Sequence, residues 1–276
     1  MNVQEVRKYY DDNSLKEWER LEKNPLEFIF TTYKMDQYIQ PGDSILDIGG
    51  GPGRYSIHYA RKGCGVTLVD LSEKNIELAG KKAEESRVSF PMFAADCRAL
   101  DGLGLGQYDH VFLMGPLYHL QRKEDRIQAV ESAMEHLKPG GFLYCSFILD
   151  FAGLIYDLKN GPGYLPEDLG NQSTRGLLRS IIEGTEYVGP AFTSAYFINQ
   201  RQIEPFMQQF PLEKCCLFGQ EGILALYANQ LQSFPQEEYV LWVETAKEFL
   251  ELPEFLAFSE HAMYIGRGKE AARILI

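Results

Sequence analysis

No run of apolar residues comes near the roughly twenty that span a bilayer, and Met1 to Asp12 lacks the apolar core of a signal peptide. A membrane anchor and export are therefore not expected, and a cytoplasmic location is. Cysteine is sparse. Cys64, Cys97, Cys145, Cys215 and Cys216 are scattered, with no Cys-x-x-Cys pair, which argues against a disulfide framework or a zinc centre. Basic charge is short as well: 27 Lys and Arg against 39 Asp and Glu leave a formal net charge of −12. Such a chain lacks the broad cationic face that nucleic acid needs, so nucleic acid is not an expected partner. No internal repeat or low-complexity segment is visible. What is present is an ordinary globular composition, 45% hydrophobic over 276 residues, enough for one large α/β domain or two small ones.

From residue 44 to about 150, short β-rich runs alternate with helical patterns, the mark of a parallel sheet with crossover helices. Strands are expected at Ser44–Ile48, Gly65–Val69, Val88–Ala94, Asp109–Met114 and Gly141–Leu149. Helices are expected at Gly53–Lys62, from Ser72 onward, and over Lys123–Leu137, where Lys138-Pro139-Gly140-Gly141 stops the last one. Residues 1–40 read as a helical cap and 41–150 as a cofactor-binding core. Residues 151–198 read as an insertion rich in Gly, Pro and Tyr. Residues 199–276 return to the sheet through a helix at Asn199–Phe210, a strand at Leu212–Phe218, a helix at Gln236–Glu251 and a last strand at Ala262–Gly266.

Gly49, Gly51 and Gly53 follow an apolar strand and precede a helix, a turn that lets backbone approach a ligand where a Cβ would clash. A nicotinamide fingerprint wants its third glycine five residues after the first, and that position holds Arg54. The spacing here is Asp-x-Gly-x-Gly-x-Gly, opened by Asp47. A carboxylate there repels a pyrophosphate and suits a cationic amino group or sulfonium. The second strand ends at Asp70, placed to accept from ribose hydroxyls, and the third is followed by Asp96, placed to accept from an adenine amino group. Singly, each has a blander reading: Asp70 as an acid at a helix N-terminus, Asp96 as a surface loop residue. Three carboxylates at three successive strand ends, on the edge where open α/β sheets bind ligands, weigh against coincidence.

The segment Ile45 to Gly53 resembles the first motif of class I S-adenosylmethionine-dependent methyltransferases. Val69-Asp70-Leu71-Ser72 resembles that family's second-strand acid, and Ala95-Asp96-Cys97 its adenine-side acid. Leu137-Lys138-Pro139-Gly140-Gly141 resembles the turn before its strand five. Tyr108 to Leu120, with Gly115-Pro116-Leu117-Tyr118-His119, resembles the fourth-strand motif of a bacterial subset. The likeness spans residues 44–148; Phe192 to Phe210 and Ser259 to Met263 share it less specifically. It implies a Rossmann-like, seven-stranded, mostly parallel sheet flanked by helices, with an N-terminal cap and a lid after strand five. It also implies S-adenosylmethionine as cofactor, with S-adenosylhomocysteine as product. Asp47, Gly49, Gly50, Gly51, Gly53, Asp70, Leu71, Asp96, Cys97, Leu113 and Met114 would line its site.

The acceptor is less legible. His119 and Tyr118 are candidates to act on it, His119 as a base; the alternative, favoured for His119, is that they fix the turn after strand four. Tyr10, Tyr118, Tyr156 and Tyr196 are candidate acceptor contacts, and Tyr164, Tyr187, Phe192 and Phe197 are further aromatics of the insertion, about half expected to be packing. Acids of the same stretch, including Glu167 and Asp168, suit either an amine-bearing acceptor or a solvated face. His261 is expected to be structural. No Asn-Pro-Pro-Tyr or Asp-Pro-Pro-Tyr follows strand four, and no Asp/Asn cluster follows strand five, so no metal is expected. The expectation is methyl transfer to an O or N atom of a small molecule by a monomer or homodimer. An RNA or protein methyltransferase and a non-catalytic cofactor-binding regulatory protein stand as alternatives; a nicotinamide oxidoreductase is disfavoured by the glycine spacing.

Overall fold

The computed structural model describes residues 3–23, 25–161, 169–191, 193–231 and 233–269. Seven strands form one sheet in the order β3-β2-β1-β4-β5-β9-β8, where β1 is Ser44–Ile48, β2 Gly65–Asp70, β3 Met92–Ala94, β4 Tyr108–Leu113, β5 Leu137–Ile148, β8 Leu212–Gly219 and β9 His261–Gly268. The pairings from β3 through β5 are parallel, whereas β9 runs antiparallel to both β5 and β8. Ile45, Leu46, Ile48 and Leu68 are wholly buried because helices cover both faces, and that is why these strands read as apolar runs without alternation.

Between the strands lie α3 (Arg54–Arg61), α4 (Glu73–Glu85) and α5 (Lys123–Glu135). Ser72 caps α4 as its spacing predicts, accepting the Asn75 N–H at 3.0 Å. Ahead of the sheet come α1 (Val3–Lys23) and α2 (Pro25–Met35). The long, mostly polar α1 buries Val6 alone. It is tethered to the start of α4 through Asp11, whose carboxylate accepts the Ser72 hydroxyl at 2.5 Å.

Two strand starts lie well away from the expected positions. β3 covers only Met92–Ala94, because Pro91 has no N–H to give the ladder and contributes its carbonyl alone, to Leu68 N at 2.9 Å. α5 ends at Glu135, and β5 already begins at Leu137 instead of Gly141. Tyr108 pairs with Leu137 but His110 with Phe142, so Lys138–Gly141 bulges out of a ladder that continues past it. The stretch 151–198 contains α6 (Ala152–Asn160), a helix at Gln172–Glu183 and a separate antiparallel hairpin, β6 (Tyr187–Pro190) with β7 (Ser194–Phe197). Tyr164, Glu167, Asp168 and Phe192 lie outside the described residues. Among the described residues no helix is long and apolar enough to cross a membrane.

Candidate active site

A cavity opens at the C-terminal edge of the parallel strands. Its floor is the turn Gly49–Gly51 after β1, Asp70 and Leu71 at the end of β2, Ala95–Arg98 after β3, and Met114–Pro116 with Tyr118–Leu120 after β4. Its cover comes from α1 and α2 through Tyr10, Glu17, Arg20 and Glu27. Gln220 and His261 close the side nearest β8 and β9.

The glycine turn and β2 are joined by Asp70, whose Oδ2 accepts the Gly51 N–H at 2.8 Å. Its Oδ1 accepts Ser72 N–H at 2.9 Å and Asn75 Nδ2 at 3.1 Å. Burial raises the Asp70 carboxyl above its ordinary range, and these donors pull it back part of the way. Gly51 has φ +56, and a Cβ built on it would meet only Asn75 Nδ2, at 3.9 Å, standing where the cavity is. Gly49 is constrained from the other side. With φ +75, its Cβ would lie 2.5 Å from the Pro116 ring, so the first and fourth strand ends meet backbone to proline.

Asp96 lines the cavity but is gripped by Arg98, which donates from NH2 at 2.7 Å, and from Nε and its backbone N–H at 3.0 Å. Burial pushes the Asp96 carboxyl up, and the Arg98 contacts more than offset this and hold it below the ordinary value. Arg98 also reaches Asp125 at 2.8 Å. Nothing in the sequence had singled out Arg98, although an arginine two residues after an acid is a recognisable pairing.

Several expected contacts are placed elsewhere. Asp47 is wholly buried and does not line the cavity. It sits beneath the turn, accepting the Ser56 hydroxyl at 2.7 Å, and a Cβ on Gly50 would lie 2.5 Å from its Oδ2. Desolvation pushes its carboxyl up to about 7, against the pull of Ser56. Gly53 is also off the wall; its φ of +83 lets the start of α3 pack against Ala79, 3.2 Å from a hypothetical Cβ. Leu113 is wholly buried in the core. Tyr196 is buried under the Arg126 guanidinium, 3.5 Å from its ring centre, with its hydroxyl on Glu186 at 2.6 Å. Tyr156 is 51% exposed on α6. Neither tyrosine reaches the cavity, since the inner faces of their elements are taken up by packing. Tyr10, Leu71, Cys97, Met114, Tyr118 and His119 do line it, as do Gly49, Gly50 and Gly51.

Within that wall His119 is buried, its Nε2 2.7 Å from the Tyr10 hydroxyl and its Nδ1 3.1 Å from Thr193 Oγ1. Burial pushes its imidazole down to about 3, so the ring is neutral throughout the physiological range. That arrangement does not suit a base. Tyr118 is half-buried beside it, its phenol raised above its ordinary value by desolvation. His261, expected to be structural, lies on the cavity wall with Nδ1 2.7 Å from Glu221 Oε1. Glu27, Glu221 and His261 each bring a ligating atom within 4.8 Å of the others. Sequence spacing hid this group because its members come from α2, from the turn after β8 and from the start of β9.

Residues 45–141 match the family model described as a methyltransferase domain. The ubiquinone biosynthesis O-methyltransferase of Caulobacter vibrioides is 35% identical over 103 residues, 37% of this chain and 40% of that protein. That of Bordetella avium is 29% identical over 185 residues, 65% of this chain and 66% of that one. The chain thus matches less than two thirds of the length of either relative. The magnesium protoporphyrin IX methyltransferase of Synechocystis, solved with bound S-adenosylhomocysteine, superposes with a TM-score of 0.58 at 17% identity, covering 98% of this chain and 100% of that one. The N-methyltransferase NodS of Bradyrhizobium japonicum superposes with 0.53 at 14% identity, covering 91% of each. The chain has the class I methyltransferase fold.

Proposed function

We propose that the protein is an S-adenosylmethionine-dependent methyltransferase acting on an O or N atom of a small molecule. The observation that carries this reading is the joint between Asp70 and Gly51. A buried carboxylate clamps the glycine turn at the mouth of a cavity ringed by four strand-end loops, and the open side of Gly51 faces that cavity. Asp70 Oδ2 has one described donor and room for a second, which suits a ribose hydroxyl. Asp96, Cys97 and Leu71 supply the polar and apolar walls an adenine ring needs. Asp47 acts through its support of Gly50, and Gly53 through helix packing, neither by contact. The glycine spacing, with Arg54 where a nicotinamide fingerprint wants its third glycine, disfavours nicotinamide dinucleotides.

When bound, the cofactor supplies a methyl group on a cationic sulfonium. The chain's own part is alignment and exclusion of water. Tyr10 and His119 hold α1 over the cavity, and Tyr118 floors the space beyond Gly115. The relatives named as O-methyltransferases support a small-molecule acceptor, and the net charge of −12 weighs against RNA. The test is release of S-adenosylhomocysteine from S-adenosylmethionine on addition of fractionated small-molecule extracts. Release with at least one fraction is expected. Tight cofactor binding with no release from any fraction would instead point to a non-catalytic binding protein.

A further inference from the structure

The two histidines of the cavity are built for different tasks. His119 has both ring nitrogens engaged and is neutral. His261 has one nitrogen held. Its Nδ1 is 2.7 Å from Glu221 Oε1, while Glu221 Oε2 accepts the backbone N–H of His261 at 2.9 Å and of Glu260 at 3.1 Å. Glu221 is only 6% exposed, so its carboxylate is fixed and desolvated. A carboxylate that only accepts places the proton on Nδ1 and leaves Nε2 for the cavity the ring lines. Among the described residues no hydrogen bond reaches Nε2. The Tyr118 ring centre lies 6.1 Å from that of His261, so the residue stands beside the strand-four motif. A buried acid that orients an imidazole, with the far nitrogen open to a ligand cavity, is the arrangement of a base and its positioning partner.

We propose that His261, oriented by Glu221, takes the proton of the acceptor atom, and that the acceptor is a protic nucleophile, a hydroxyl or an amine, bound between His261 and Tyr118. The proposal rests on the methyl-transfer reading above. As the acceptor heteroatom bonds to the methyl carbon, the carbon–sulfur bond breaks with its electron pair left on sulfur. The acceptor proton passes to Nε2, and Glu221 balances the imidazolium formed. His261 would be the catalytic residue and Glu221 a positioning residue.

The groups facing His261 make its protonation state readable. Glu221 packs from the turn after β8 and Glu27 from α2, with Arg20 4.0 Å from Glu27. Glu260 precedes His261 and pairs with Lys159 of α6 at 2.8 Å, and Tyr118 faces it from the turn after β4. Burial lowers the imidazole's affinity for its proton, but Glu221, then Glu27 and Glu260, outweigh that and hold it up to about 9. A base must be neutral, so turnover should rise with pH through about 9. Replacing Glu221 by Gln removes the largest raising influence and should move that limb to lower pH.

The experiment has two arms, both on the full chain. In the first, isotope-labelled histidine ring signals are followed by NMR across pH, with His261 assigned by its absence in His261→Gln. A His261 titrating near 9 and dropping by about one pH unit or more in Glu221→Gln is expected. An ordinary histidine titration in both proteins overturns the proposal without any acceptor in hand. In the second, S-adenosylhomocysteine release driven by metabolite fractions is profiled over the same range. Loss of about 100-fold or more in His261→Gln is expected, with the limb displaced in Glu221→Gln and S-adenosylhomocysteine affinity kept within about threefold in both. Turnover surviving His261→Gln with an unchanged profile overturns it. So does turnover abolished by EDTA and restored by Mn²⁺, which would make Glu27, Glu221 and His261 a cation site. A wild type that binds S-adenosylhomocysteine but never releases it from S-adenosylmethionine fails the methyl-transfer reading, and this proposal falls with it.

Discussion

The Tyr10 hydroxyl lies 2.7 Å from Nε2 of His119, across 109 positions of sequence, and it is the hydrogen bond by which α1 closes on the turn after β4. The network around it has a direction. Thr193 Oγ1 donates to the Ser194 carbonyl at 3.3 Å, which leaves its oxygen to accept from His119 Nδ1, so Nε2 accepts from Tyr10. One neutral ring thereby ties together α1, the strand-four motif and the hairpin β6–β7.

Tyr10→Phe removes this hydrogen bond and keeps the ring. A buried hydrogen bond contributes about 1 kcal/mol net, so S-adenosylhomocysteine affinity should fall by roughly five- to tenfold. Calorimetry checks it; unchanged affinity would show that α1 closes without this contact.

Asp47→Asn tests the turn's support. The Asp47 carboxyl is up at about 7 when folded, against 3.8 as its ordinary value. A raised carboxyl favours the folded state fully below 3.8, and that contribution is lost as pH rises through about 7. The neutral amide escapes the loss. Ligand-free Asp47→Asn should therefore gain in melting temperature over wild type at alkaline pH, and gain little in mild acid. An equal difference at both would place the carboxyl's titration elsewhere.

Gly49→Ala places a Cβ 2.5 Å from the Pro116 ring at a φ of +75, where neither backbone nor proline can yield. Destabilisation of about 2–3 kcal/mol is expected, together with loss of cofactor binding. Gly42→Ala, also at positive φ but with open space around it, is the comparison in a denaturation series. Equal losses in the two would mean that backbone strain, not the meeting with Pro116, decides.

Arg126→Lys probes the buried joint between α5 and β7. Arg126 donates to the Leu120 and Gln121 carbonyls at 2.8 and 2.9 Å, and its guanidinium lies 3.5 Å from the Tyr196 ring centre. A lysine carries the charge but neither the plane nor the fork. Loss on the order of 2–3 kcal/mol is expected in chemical denaturation. Full stability in the lysine variant would reduce the contact to simple charge.

What was legible in the sequence was local. Ser72 and the glycine turn announce themselves because their partners lie within a few residues: Asn75 for one, a change from strand to helix for the other. Asp70 was readable for the same reason, sitting at a strand end next to a helix start. Asp47 was misplaced because sequence shows that a carboxylate adjoins the turn, not whether it points to the cavity or beneath it. Tyr156 and Tyr196 were chosen by residue type, and type does not distinguish a pocket wall from a stack on Arg126. The pairing of His261 with Glu221 depends on β9 running antiparallel beside β8, and no spacing of 40 residues carries that information.

The most direct test of the account is calorimetric titration of the full chain with S-adenosylmethionine, S-adenosylhomocysteine and NAD. Both adenosyl compounds are expected to bind, one per chain, and NAD is not. Binding of NAD without binding of either adenosyl compound would contradict it.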